Sequence, residues 1–248
     1  MRRRELLRLA GAGVLCTPNI LRAEAPEPVD VELVLAVDVS RSIDAEEHEM
    51  QMRGYAAAFR DPALIRAISG GEVGAVACTL FTWSDADDQR EIVPWTRIDG
   101  PAAASRFAEA IDAAPRLPGN YTSISGAMLH ALELYGTRFE GTRRVLDISG
   151  DGPNNAGWRV ESVRDRLLEA GVVMNGLAVL DRAPISPVSI PLEEYYRDEV
   201  IAGPGAFLVV AEGFDAFEGA VRRKIVREVA SLDMPQFAAG PRVERVTA

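Results

Sequence analysis

Two carboxylates and three hydroxyls stand where loops follow buried strands. Asp38-Val39-Ser40-Arg41-Ser42 comes directly after the apolar run Val31–Val37. Gly150-Asp151-Gly152-Pro153-Asn154-Asn155 follows a run ending at Ser149, and Thr122 follows Gly119-Asn120-Tyr121 at the opening of an expected helix. If the chain stays extended beyond the first strand, positions 38, 40 and 42 share one side of it. Oxygen donors in this number suit a hard cation: Mg²⁺ first, with Mn²⁺ or Ca²⁺ as alternatives. Hydroxyls are neutral ligands, so two carboxylates just balance a divalent charge. Mg²⁺ releases water reluctantly, which keeps an open position until an outside Glu or Asp carboxylate takes it. A plainer role for the same residues is capping, with Asp38 and Asp151 holding loops and Ser40 and Ser42 starting the next helix.

Such a set works only if the elements bring its loops together. Val31–Val37 and Val73–Trp83 read as strands buried on both faces of a parallel sheet. Glu91–Trp95 reads as a short edge strand, and Arg144–Ser149, Val172–Leu180 and Ala206–Ala211 as further strands. Helices are expected over Asp44–Arg60, Ala102–Ala113, Thr122–Arg138, Trp158–Ala170, Leu192–Val200 and Phe214–Leu232. In the first of these, Met52, Tyr55, Ala56 and Phe59 recur at helical spacing. Strands alternating with helices predict an α/β, doubly wound, mostly parallel sheet with helices on both faces. Ligands in such sheets gather at the carboxyl ends of the strands, near a switch in strand order. Pro26–Pro28 reads as a linker, residues 26–235 as one domain and residues 236–248 as a loose tail.

Asp-x-Ser-x-Ser after a buried first strand, a Thr opening a middle helix, and Asp-Gly after a later strand together resemble the metal-ion-dependent adhesion site of von Willebrand factor A domains. The resemblance spans roughly residues 29–232. It implies that Asp38, Ser40, Ser42, Thr122 and Asp151 are the metal ligands, and that the site grips a protein partner through an acidic residue. Thr122 is preferred to Ser123 because Ile124 and Ala127 follow it at the family's offsets. Ser149-Gly150-Asp151-Gly152-Pro153-Asn154-Asn155 and Gly203-Pro204-Gly205-Ala206-Phe207 further resemble an exported bacterial family, DUF1194. One departure is Gly150, where the adhesion-site pattern usually has Thr.

The first 25 residues are of another kind. A basic start, the apolar stretch Leu9–Leu15 and the small-residue exit Ala23-Glu24-Ala25 make an export signal, cleaved after Ala23 or Ala25. Arg3-Arg4-Glu5-Leu6-Leu7-Arg8 resembles the twin-arginine consensus; an Arg-rich general signal is the alternative. The expected location is periplasmic or secreted. Five arginines against two glutamates give residues 1–25 a net +3, so with −10 for the whole chain the remainder carries −13. That acidity argues against nucleic acid as partner. No internal run approaches the roughly 18 apolar residues of a membrane span. Cys16 leaves with the signal, and Cys78 is then alone in an apolar run, as a small hydrophobe.

Other features carry less. His48 and His130 lie far apart in expected helices. Asp85, Asp87 and Asp88 read as a solvated loop rather than a second metal site. Trp83, Trp95 and Trp158 read as packing residues, though Trp158 is close enough to Asn155 to rim the metal face. The rival to a non-enzymatic binding module is a Mg²⁺-dependent phosphoryl hydrolase using Asp38 as nucleophile with Asp151 in support. Ser40 replaces the second Asp such enzymes want, and no Lys lies among the candidate ligands to neutralise a phosphoryl group.

Overall fold

The computed structural model describes residues 25–181, 190–230 and 242–248. The expected export signal (Ala25 excepted), Cys16 and the expected end of the last helix at Leu232 lie outside the described residues.

Seven strands form one sheet: β1 (Glu27–Asp38), β2 (Val76–Trp83), β3 (Gln89–Ile98), β4 (Phe139–Gly150), β5 (Val172–Val179), β6 (Phe207–Ala211) and β7 (Arg242–Val246). Their order is β3-β2-β1-β4-β5-β6-β7. All neighbours are parallel except β2 and β3. The chain builds leftward from β1 to β3, then crosses to β4 and builds rightward. The order therefore switches between β1 and β4, and in such sheets ligands gather at that switch, beyond the strands' carboxyl ends. Val37 pairs with Ser149 in that register, which brings Asp38 beside Gly150.

Helices α1 (Ala45–Phe59), α2 (Pro62–Ser69), α3 (Pro101–Asp112) and α7 (Phe217–Ala230) cover one face. Helices α4 (Ile124–Leu134), α5 (Val160–Glu169) and α6 (Leu192–Tyr195), the last continued by a π-helical turn Tyr196–Val200, cover the other. β1 can be apolar nearly throughout because Leu33, Leu35 and Val37 face the first layer while Val34 and Ala36 face the second. Helix α1 starts where a reciprocal cap satisfies its first amides: Glu46 and Glu47 amides donate to Asp44, and the Asp44 amide donates to Glu47. Its Tyr55 and Phe59 then pack against Phe217 and Phe107.

Several expected bounds are corrected. Pro26–Pro28 is not a linker: β1 begins at Glu27, because β4 extends back to Phe139 and pairs with it there. The antiparallel edge strand runs ten residues rather than five. Part of the expected loose tail, Arg242–Val246, is a parallel strand on β6 with Val246 buried. Thr122 lies before its helix, which starts at Ile124 with Ser123 as cap. Helix α2 was not expected at all.

A charged network sits inside the first layer. Lys224, the chain's single lysine, is fully buried on α7, 2.7 Å from Asp147 Oδ2 and 2.6 Å from Glu228 Oε1. Asn175 donates to the same Glu228 oxygen at 3.0 Å. Tyr55 donates to Ser149 Oγ at 3.1 Å, two residues along β4 from Asp147. Burial, with the negative charge of Asp147 adding to it, raises the Glu228 carboxyl above its ordinary value, and Lys224 offsets part of the rise.

Candidate metal site

Three loops meet at the carboxyl edge of β1 and β4. The first does not continue extended beyond Asp38: the Ser40 amide folds back to Asp38 Oδ1 at 2.7 Å, and the Ile43 amide donates to the Ser40 carbonyl at 2.9 Å. A local side chain-to-backbone bond thus overrides the extended path. The turn still gathers the expected side chains, with Ser40 Oγ 3.1 Å from Ser42 Oγ. Ser42 Oγ in turn donates to Asp151 Oδ1 at 2.7 Å, linking the first loop to the one after β4.

Thr122 enters through a different device. Asn155 clamps its backbone from both sides: the Asn155 amide donates to the Thr122 carbonyl at 2.8 Å, and the Thr122 amide donates to Asn155 Oδ1 at 2.9 Å. A side chain at Gly152 would lie 3.8 Å from Thr122 Oγ1, which places that hydroxyl against the Asp151-Gly152 loop. The Gly119 amide donates to the Val39 carbonyl at 2.7 Å, so the first and middle loops are tied as well. All five candidate residues are thus carried on loops bound to one another, and Asp38, Ser40 and Thr122 are buried.

The electrostatics are unusual. Burial lifts the Asp38 carboxyl to about 7, Asp151 adds to the rise, and bonds from Ser40 and the Asp151 backbone offset only part. Asp38 Oδ2 is buried and meets no hydrogen-bond partner among the described residues. Buried carboxylates of this kind fit a cation between them. Among the described residues no three His, Cys, Asp or Glu side chains converge, so an ion at this edge would draw on two carboxylates and the neighbouring hydroxyls. That chemistry is the one hard divalent ions accept.

Other candidates fall elsewhere. Asp88 accepts from Ser84 and pairs with Arg90, holding a turn. His130 packs edge-on against Phe81, and His48 is buried in α1. Burial pushes the Cys78 thiol up. Trp83 and Trp95 are buried as expected, but Trp158 is 68% exposed and is not a packing residue. Asn154 holds the loop that leads from Asp151 to Trp158: its side chain donates to the Trp158 and Ala156 carbonyls and accepts from the Ser125 amide. The clamping role of Asn155 had no signal of its own beyond its place after Asp151; turn chemistry would use the same residue.

Comparison with solved structures places this architecture. The mussel byssus proximal thread matrix protein 1 superposes with a TM-score of 0.62 at 13% identity, over 84% of this chain and 50% of that one. Another crystal structure of that protein, with a zinc-occupied MIDAS motif, has a TM-score of 0.62 at 15% identity. A von Willebrand factor type A protein from Catenulispora acidiphila has 0.54 at 12%, over 82% of this chain and 43% of that one. BatB from Bacteroides thetaiotaomicron has 0.51 at 18%, over 81% of this chain and 99% of that one. The chain spans about half the length of the mussel protein. At such identities the likeness is one of fold, which is von Willebrand factor A-like. A search of the curated proteins found no match. A family model described as a protein of unknown function does match, over residues 28–233, and the chain belongs to that family, DUF1194.

Proposed function

We propose that this chain is an exported binding module that holds a divalent cation on Asp38, Ser40, Ser42, Thr122 and Asp151 and grips a protein partner through an acidic residue. The observation that carries the reading is the union of the loops. Ser42 bonds Asp151 across 109 residues of sequence, while Asp38 holds an unpartnered, buried carboxylate oxygen at the same edge. Asp151 lies near enough to add to the rise of the buried Asp38 carboxyl, and a divalent cation held by the two acids would offset that repulsion. Mg²⁺ fits the all-oxygen set, and the zinc-occupied MIDAS motif of the mussel protein, which shares the fold, supports a divalent ion. The charge and the apolar middle of residues 1–25 support export to the periplasm or beyond. Among the described residues no helix is long and apolar enough to cross a membrane.

The hydrolase reading is less favoured. Phosphoryl transfer wants a cation over the leaving group, and the chain's single lysine is buried against Asp147. Calorimetric titration with Mg²⁺ and Mn²⁺ is the test. Saturable binding is expected in the wild type and none in Asp38→Ala or Asp151→Ala, with circular dichroism unchanged. Absence of binding below millimolar concentrations in the wild type would end the proposal. Turnover of an aryl phosphate would favour the hydrolase.

A further inference from the structure

Tyr196 opens the π-helical turn that continues α6, and its side chain is fully buried. The ring crosses the sheet where two strands lack side chains. A Cβ at Gly176 on β5 would lie 3.0 Å from Tyr196 Cδ1, and one at Gly150 on β4 would lie 2.7 Å from the Tyr196 hydroxyl. The same point at Gly150 is 2.9 Å from Asp38 Oδ2. Two glycines on neighbouring strands therefore open a channel for the ring, and the hydroxyl ends beside Asp38. Neither the hydroxyl nor Asp38 Oδ2 has a hydrogen-bond partner among the described residues. Packing does not explain this, since phenylalanine fills the same space. A buried, unpartnered hydroxyl carries a penalty of about 1–3 kcal/mol, and such a group calls for a reason. The neighbouring Tyr195 addresses the same loop, accepting from the Asn154 amide at 3.4 Å.

We infer that the Tyr196 hydroxyl is a positioning group of the metal site, donating to the Asp38 carboxylate when that carboxylate takes up a divalent cation. The inference rests on the metal reading above. It also accounts for Gly150, where the adhesion-site pattern usually has a threonine: the space its side chain would enter is taken by the hydroxyl of Tyr196. A phenol held against one oxygen leaves the carboxylate a single orientation. Outer partners of this kind are worth about 10–100-fold in metal affinity.

Calorimetric titration of the full chain with Mn²⁺ alone tests it, in the wild type, Tyr196→Phe, Gly150→Ala and the double variant. Tyr196→Phe is expected to weaken Mn²⁺ binding by about 10–100-fold. Its metal-free melting temperature should equal or exceed the wild type's, because the unpartnered hydroxyl is gone. A purely structural tyrosine would give the reverse pattern, a lower metal-free melting temperature at unchanged affinity. Gly150→Ala should weaken binding more in the wild-type background than in the Tyr196→Phe background. Wild-type affinity in Tyr196→Phe, or independent effects in the double variant, would overturn the inference. A wild type that binds no Mn²⁺ removes the metal reading itself, which separates the two failures.

Discussion

Ser42 Oγ donates to Asp151 Oδ1 at 2.7 Å, so residues 109 positions apart share one hydrogen bond at the switch between β1 and β4. That bond makes the loop after β1 and the loop after β4 a single unit, and the acids on them share a common environment. Burial is the main cause of the raised Asp38 carboxyl, and the negative charge of Asp151 adds to it. Asp151→Asn keeps the side chain's shape and removes one charge. The metal-free variant should melt about 2–4 °C above the metal-free wild type, or ~1 kcal/mol for a domain of this size. Its melting temperature should not respond to Mg²⁺, whereas the wild type's rises with concentration. Differential scanning calorimetry with chelator and with added Mg²⁺ reads both.

Asn155 is expected to act at a distance from the ion. Asn155→Ala removes the acceptor for the Thr122 amide and leaves the backbone bond in place. Mn²⁺ affinity should fall about tenfold, with a stability loss of only about 1 kcal/mol. Titration calorimetry paired with urea unfolding separates the two effects.

The buried ion pairs on α7 give a larger effect. Lys224→Met leaves Asp147 and Glu228 without their cation in the core. Removing one partner of a buried pair costs about 3–5 kcal/mol, and urea unfolding at neutral pH should show a loss of that order.

Glu228 also makes stability depend on pH. Its carboxyl is raised above the ordinary 4.5, so the folded state holds the proton more tightly than the unfolded state. The contribution of this group is complete below that ordinary value and is lost as the pH climbs through the raised one. Wild-type stability should therefore decline from pH 5 towards pH 8 relative to Glu228→Gln, in which this contribution is absent. Urea midpoints for both chains across that range measure the difference.

Most of the sheet could be read from the sequence because its central strands are buried on both faces and carry little else. The last strand could not. Arg242, Glu244 and Arg245 look like a solvated tail, and only Val246 is buried where β7 lies on β6. Helix α2 is eight residues long, with a buried face of Leu64 and Ile68 alone, too little period to see. At the site, Asp38, Ser40 and Ser42 announce themselves by contiguity, and Asp151 by the strand before it. The turn that gathers them is set by one amide on Asp38, which an extended reading of positions 38, 40 and 42 passes over. Asn155 is marked only by its place after Asp151, where orienting a ligand and turn chemistry are equal readings, and its bonds to Thr122 are tertiary; no spacing in the sequence marks Tyr196.

The sealed ammonium of Lys224 makes the molecule its own unfolding gauge. With no other lysine in the chain, an amine-directed ester can modify the native fold only at its N-terminus. A second adduct on a molecule would record that α7 had come away from β4, so counting adducts by mass would report how often the core opens.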